Sequence, residues 1–252
     1  MTKKQKKNNQ YKINFIKSVI LKIDFKRIDN FDHVKFSSFL KKSYPSLKIE
    51  PKVEYITTLS KEKQGIDTRG FNEYRYYDEK MENCICLSES SIFFEFKKYV
   101  SFDQKLKKEF NKIFDILRNQ YSLDSIVRMG LRYTNNISVN GQDLKGYIAE
   151  FLLSNNSFIE SINTKHKTLE KALSLGQISL KNEDTIINFI FGNANKHYPA
   201  TIIDNDFLLD YDSFINNVDK EDVSGKLDLL HSNIIDLFEM SITDKLRNLM
   251  NK

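Results

Sequence analysis

Three prolines and eight glycines in 252 residues leave little room for a linker. Two cysteines are too few for a disulfide framework. Cys84 and Cys86 lie two apart in a strand-like run, so their side chains run parallel on one face and do not suit a mutual bridge. No second Cys or His pair stands at zinc-ligand spacing, and both thiols read as reduced packing residues. No run of about 18 apolar residues occurs, which excludes a transmembrane helix. There is no Gly-rich phosphate loop and no dinucleotide fingerprint; Gly192 in Phe-Gly-Asn-Ala-Asn reads as a hairpin turn.

What is present is charge and aliphatic periodicity. The formal charge of +5 comes from 39 basic and 34 acidic residues. Five lysines and no acid fall within the first twelve residues, so 34 basic and 34 acidic residues remain in the body. A nucleic-acid binder carries its basic patch on the fold. Here the excess sits in a basic flexible tail, residues 1–12. Lys17 and Lys22 interrupt the next apolar stretch and no small-residue cleavage site follows, so a signal peptide is not expected and the location reads as cytoplasmic.

Residues 13–25 alternate, with Val19, Leu21, Ile23 and Phe25 on one face and Ile20, Lys22 and Asp24 on the other. Helical spacing follows over 31–44, closed by Pro45. Strand-like runs come at 51–60, 70–79, 82–90 and 92–99. Phe102, Leu106, Phe110, Ile113, Phe114, Leu117 and Tyr121 then mark a long helix. The second half repeats the order: a strand over 125–138, a helix from Asp143 to Leu153, strand-like material over about 160–180, 185–192 and 200–211. A helix carrying Val223, Leu227, Leu230, Ile234, Leu237 and Phe238 and a short terminal helix complete it. Tyr99-Val-Ser-Phe102 and Tyr211-Asp-Ser-Phe214 look like equivalent strand-to-helix junctions.

The pattern predicts an α+β fold of two duplicated β-α-β4-α halves, 13–122 and 123–252. They would share one antiparallel sheet with helices on one face, in a TATA-box-binding-protein-like or helix-grip layout. Such a sheet leaves its other face open to a partner. The first strands of the halves are expected side by side, with Lys22 and Asp24 beside Arg128 and Arg132.

The string Arg128-Met-Gly-Leu-Arg-Tyr-Thr-Asn-Asn-Ile137 resembles the R-x-G-L-R-Y-x-N-x-I signature of a sporadically distributed prokaryotic family with no established activity. Ser18–Phe25, Leu209-Asp-Tyr-Asp212, Leu230-His231 and Ile242–Leu246 fit the same resemblance, which spans about residues 12–250. It supplies no catalytic residues. The family's patchy distribution implies an accessory role in a defence or mobile-element system.

Arg128 and Arg132 share a strand face with Gly130 between them. Their planar forks suit carboxylate or phosphate, with internal ion pairs as the alternative. The expectation is that one arginine is paired, with Asp24, Asp210 or Asp212 as partner, and the other is open to an anionic ligand. Tyr74, Arg75, Tyr76 and Tyr77 form an aromatic-basic string of the kind that stacks on single-stranded nucleic acid. Asp204, Asp206, Asp210 and Asp212 all have even numbers and would line one strand face, a candidate for a divalent metal. Glu95-x-Lys97 matches half of a nuclease motif in the wrong order of elements. The four histidines stand near no nucleophile motif, and His231 reads as a packed helix residue.

These residues point first to a non-catalytic binding or scaffold protein, with no cofactor, that takes a protein or anionic partner on its open face through Lys22, Arg128, Arg132, Tyr74, Arg75 and Tyr77. A nucleic-acid-binding component using the tail and the two arginines is the alternative, and a metal-dependent hydrolase on the aspartates the third reading.

Overall fold

The computed structural model describes residues 11–59, 64–121, 123, 125–139, 144, 146–153, 173–195, 197–200 and 206–252. The described residues form an α+β fold, with nine strands in one antiparallel sheet and five α-helices. In chain order these are β1 (Ile16–Phe25), α1 (Val34–Leu40), β2 (Ser46–Leu59), β3 (Gln64–Tyr77), β4 (Asn83–Leu87) and β5 (Ser91–Phe96). A π-helical turn (Phe102–Lys107) then runs into α2 (Lys108–Gln120). β6 (Ile126–Ile137), α3 (Glu150–Leu153), β7 (Ser174–Asn182), β8 (Thr185–Asn193), β9 (Phe207–Val218), α4 (Val223–Ser241) and α5 (Asp244–Met250) follow.

The sheet order is β2-β3-β4-β5-β1-β6-β9-β8-β7. β1 and β6 therefore pair at its centre, with Leu21 opposite Leu131, Lys22 opposite Gly130 and Asp24 opposite Arg128. The period of two in each strand sends Val19, Leu21, Ile23, Met129, Leu131 and Tyr133 to one face, where all are buried. Phe94 and Tyr211 continue that row on the flanking strands. The helices cover this face. Phe110 of α2 meets Phe94 edge-on at 5.8 Å. Phe238 of α4 meets Tyr211 edge-on at 6.5 Å. His33, capping α1, hydrogen-bonds the Tyr76 hydroxyl at 2.7 Å.

Several boundaries differ from the sequence reading. The strand expected to end at 211 runs from Phe207 to Val218, because Ser213 and Ile215 continue its buried alternation. Tyr211–Phe214 is thus mid-strand and not a strand-to-helix junction like Tyr99–Phe102. In the second half, the described residues show three strands after the short helix, against four in the first. Tyr11, grouped with the tail by composition, docks on α4: its hydroxyl donates to Glu239 at 2.6 Å and its ring meets Phe238 edge-on. Residues 1–10 of the tail lie outside the described residues.

His231 joins α4 to the entry of α2. Its ring stacks on Phe102 with centroids 3.7 Å apart, and Nδ1 lies 3.3 Å from the Tyr133 hydroxyl. Burial drives its pKa down to about 4, despite Asp103 and Asp228 pulling it up; Lys107 pushes it lower. An unfolded histidine takes its proton near pH 6.5. The unfolded chain therefore binds more protons between about pH 6.5 and 4, and the fold loses stability as pH falls through that window. The loss from this one group should be on the order of 3 kcal/mol. In His231→Phe, which keeps the stack, urea melts should show that much less acid destabilisation between pH 6.5 and 4. An unchanged pH dependence would remove His231 as its source.

Candidate binding face

The strand face opposite the helices carries the even-numbered side chains of β1, β6 and β9. At its centre stand Lys22, Asp24, Arg128, Gly130, Arg132, Asp210, Asp212 and Phe214, brought together by the β1–β6 and β6–β9 registers. Arg132 lies opposite Asp212 but reaches diagonally to Asp210. Its Nε donates to Asp210 Oδ1 at 2.8 Å and Nη2 to Oδ2 at 2.5 Å. Asp210 is only 5% exposed, and Thr134 Oγ1 adds a contact at 3.4 Å. A buried carboxylate needs such a bidentate partner to remain charged.

Arg128 is held differently. Its guanidinium lies over the Phe214 ring, 4.4 Å from the centroid. Its ionic contact is a long one, Nη2 to Asp212 Oδ2 at 3.7 Å. A Cβ at Gly130 would stand 3.3 Å from Arg128 Nη1 and 3.4 Å from Phe214 Cβ. The glycine thus leaves the space into which the guanidinium folds. Among the described residues, no hydrogen bond engages the Arg128 donors, and the side chain is one-third exposed. Burial pushes the Asp212 carboxyl above its ordinary pKa; Arg128 and Arg132 pull it back, Asp210 raises it, and an Asn188 hydrogen bond lowers it.

Both arginines therefore have a carboxylate within 4 Å, where one was expected to be open. Asp24 is not the partner of either, although it faces Arg128 across the ladder; its carboxylate turns along β1 to Lys22 Nζ at 2.8 Å. The Lys22 ammonium, two residues away on the same face, takes Asp24, while the Arg128 guanidinium leans the other way onto Phe214.

The aromatic-basic string of β3 is divided by its own alternation. Arg75 and Tyr77 are on the open face, whereas Tyr74 faces the helices and stacks on His33 with centroids 3.8 Å apart. Arg75 is bound to Glu73 at 2.7 Å and Glu50 at 3.1 Å and lies 5.2 Å from the Phe93 ring centroid. Three inter-strand steps separate its position from Lys22, and four from Gly130, so roughly 19 Å divides Arg75 from the Arg128 site. Cys84 and Cys86 occupy this open side yet are buried under neighbouring side chains; burial raises both thiol pKa values, Cys84 to about 12, which leaves them unreactive at neutral pH.

Of the aspartates, Asp204 lies outside the described residues. Asp206 precedes β9 and accepts a hydrogen bond from Asn136 at 2.6 Å. Asp210 and Asp212 lie on the face within β9, each against an arginine. Among the described residues, no three His, Cys, Asp or Glu side chains gather in a metal-holding group. No described helix is long and apolar enough to cross a membrane.

Phe214 and Asn188 are the members of the site that the sequence reading missed. Phe214 has the same even parity as Asp210 and Asp212, a signal that becomes visible once β9 is extended past 211. No protein-family model matches the chain, and no curated protein matches it significantly.

The two arginines should separate by their energetics. Removing Arg132 strands a buried carboxylate, so Arg132→Ala should cost about 2 kcal/mol or more. A double-mutant cycle with Asp210→Asn should return a coupling of about 1–3 kcal/mol. The Arg128–Asp212 cycle should return a few tenths. Equal couplings would contradict the assignment of Arg132 as the structural arginine.

Proposed function

We propose that this chain is a non-catalytic binding or scaffold protein whose uncovered sheet face docks a protein partner, with Arg128 gripping an acidic side chain of that partner. The observation that carries this reading is Arg128 itself. Its guanidinium is laid flat on Phe214 in the space left at Gly130, one-third exposed, with a single long ionic contact and its donors uncommitted. A guanidinium fixed by stacking loses little further freedom when it takes a carboxylate.

The surrounding charge favours protein over nucleic acid. Lys22, Arg128 and Arg132 are matched by Asp24, Asp210 and Asp212, so a phosphate backbone would meet no net positive field. One carboxylate among apolar and polar contacts suits this balance better than a polyanion.

We further propose that residues 13–122 and 123–252 are related halves in a TATA-box-binding-protein-like or helix-grip layout. The antiparallel pairing of their first strands and the placement of α2 and α4 over the same face support it. The family resemblance, whose central string lies on β6, extends the reading to a cytoplasmic accessory component of a prokaryotic defence or mobile-element system.

The test compares wild type with Arg128→Ala in affinity capture from the native host, alongside filter binding of DNA and RNA oligonucleotides over a salt series. Arg128→Ala should melt within about 2 °C of wild type and lose about tenfold or more in partner recovery. Undiminished capture by the variant would remove the role of Arg128. Nucleic-acid binding that weakens steeply with salt would favour the alternative partner.

A further inference from the structure

The β2–β3 hairpin extends far beyond the sheet that carries it. On β3, β4 pairs with Tyr74–Tyr77, so among the described residues the ten pairs from Glu50–Glu73 to Leu59–Gln64 have no third strand. At about 3.4 Å per residue this is an arm of roughly 30 Å. Its two faces differ. One face, continuous with the open side of the sheet, is an ionic ladder: Lys52 to Glu50 at 3.1 Å, Arg75 to Glu50 at 3.1 Å, and Arg69 to Glu54 and Glu89, each at 3.0 Å. Those charges pair with one another, although Arg69 Nε is buried without a hydrogen-bond partner among the described residues.

The other face is mainly apolar, and among the described residues it is exposed. Leu47, Ile49, Val53 and Tyr55 follow one another at every second or fourth position of β2, and Ile66 joins them from β3. They are between 41% and 72% exposed. A large apolar side chain offers roughly 100–150 Å², so these five leave about 300–450 Å² of apolar area on one face of the hairpin, with Val53, Tyr55 and Ile66 on the arm and Leu47 and Ile49 at its base. That is a patch of the size that marks a contact surface.

We infer that this face is a dimerisation surface on which the arms of two copies of this chain stack apolar side to apolar side about a twofold axis. Three observations fix the occupant and the mode. With Pro51, Thr68 and Asn72, which are exposed on the same face, two stacked arms would bury about 1,000 Å² in total, the lower bound for a specific interface. The surface is complementary to itself: Gly70 has no side chain, and a Cβ there would meet only the Lys52 carbonyl oxygen, at 3.9 Å; it lies directly across from Val53, while Tyr55 stands beside it at 72% exposure. The ring of each copy fills the hollow of the other. Edge-to-edge pairing is closed by Pro51. The Lys97 N–H to Glu82 and Asp78 N–H to Asn83 bonds set the alternation that turns the odd residues of β2 outward, so the missing N–H of Pro51 falls on the outer edge. Stacking leaves the Arg128 face free, because the stripe is on the opposite side of the sheet.

Sedimentation velocity on the full chain from about 1 to 200 µM is the test. An interface of this size should give a reversible dimer of roughly micromolar Kd. Tyr55→Glu should shift that constant by about a hundredfold or more, while Lys48→Ala on the ionic face should leave it unchanged. Both sites are solvent-exposed, so both variants should fold. Under oxidation Val53→Cys should form a covalent dimer and Lys48→Cys should not, since Cys84 and Cys86 are buried. A chain that stays monomeric at 200 µM would overturn the inference, as would a dimer indifferent to Tyr55→Glu or one trapped equally by Lys48→Cys.

Discussion

Everything in this molecule depends on the pairing of β1 with β6. It joins an N-terminal run of strands, β2 to β5, to a C-terminal run, β7 to β9, and makes one sheet of nine. Its odd residues supply the middle of the core, with Val19, Leu21 and Ile23 beside Met129, Leu131 and Tyr133. Its even residues supply the ionic centre of the other face. A one-residue slip would exchange the two sets, burying Lys22 and Arg132 and exposing leucines. The register is therefore held by hydrophobic burial, and the position of every charged side chain follows from it.

On the open face, two arginines four residues apart meet different fates because of what lies across the ladder. Arg132 finds a carboxylate that is nearly inaccessible to water, and the pair is fixed by two short hydrogen bonds. Arg128 finds a glycine on its own strand and a phenylalanine on the next, and settles on the ring with Asp212 at a distance. The first arrangement stabilises the sheet. The second keeps a planar cation at the surface with its hydrogen-bond donors uncommitted. The hairpin repeats the division on a larger scale, with paired ions on one side and, among the described residues, exposed apolar side chains on the other.

Much of this was legible in the amino-acid sequence. The alternation of Val19 to Phe25 and of Ile126 to Ile137 marks both central strands, and parity alone puts Arg128 and Arg132 on one face. The spacing of Phe110, Ile113, Phe114 and Leu117 marks α2, as that of Leu227, Leu230 and Ile234 marks α4. The polar run after Tyr211 hides the second half of β9, and Phe214 with it. Parity also separates Tyr74 from Arg75 and Tyr77, a distinction lost when the string is read as a unit. Ion partners are not encoded locally, since they depend on how β6 and β9 align. Nor is the exposure of Leu47, Ile49, Val53 and Tyr55, because an apolar-charged alternation reads the same whether or not helices cover it.

Native-state amide hydrogen exchange tests the central claim, that the two runs of strands are one cooperative sheet closed at β1–β6. The amides of Leu21, Ile23, Leu131 and Tyr133 should exchange only through global unfolding. Phe94 in β5 and Tyr211 in β9 should report the same free energy and the same denaturant slope. An opening of lower free energy that exposes β1 to β5 while β6, β9 and α4 stay protected would show two independent units and contradict the account.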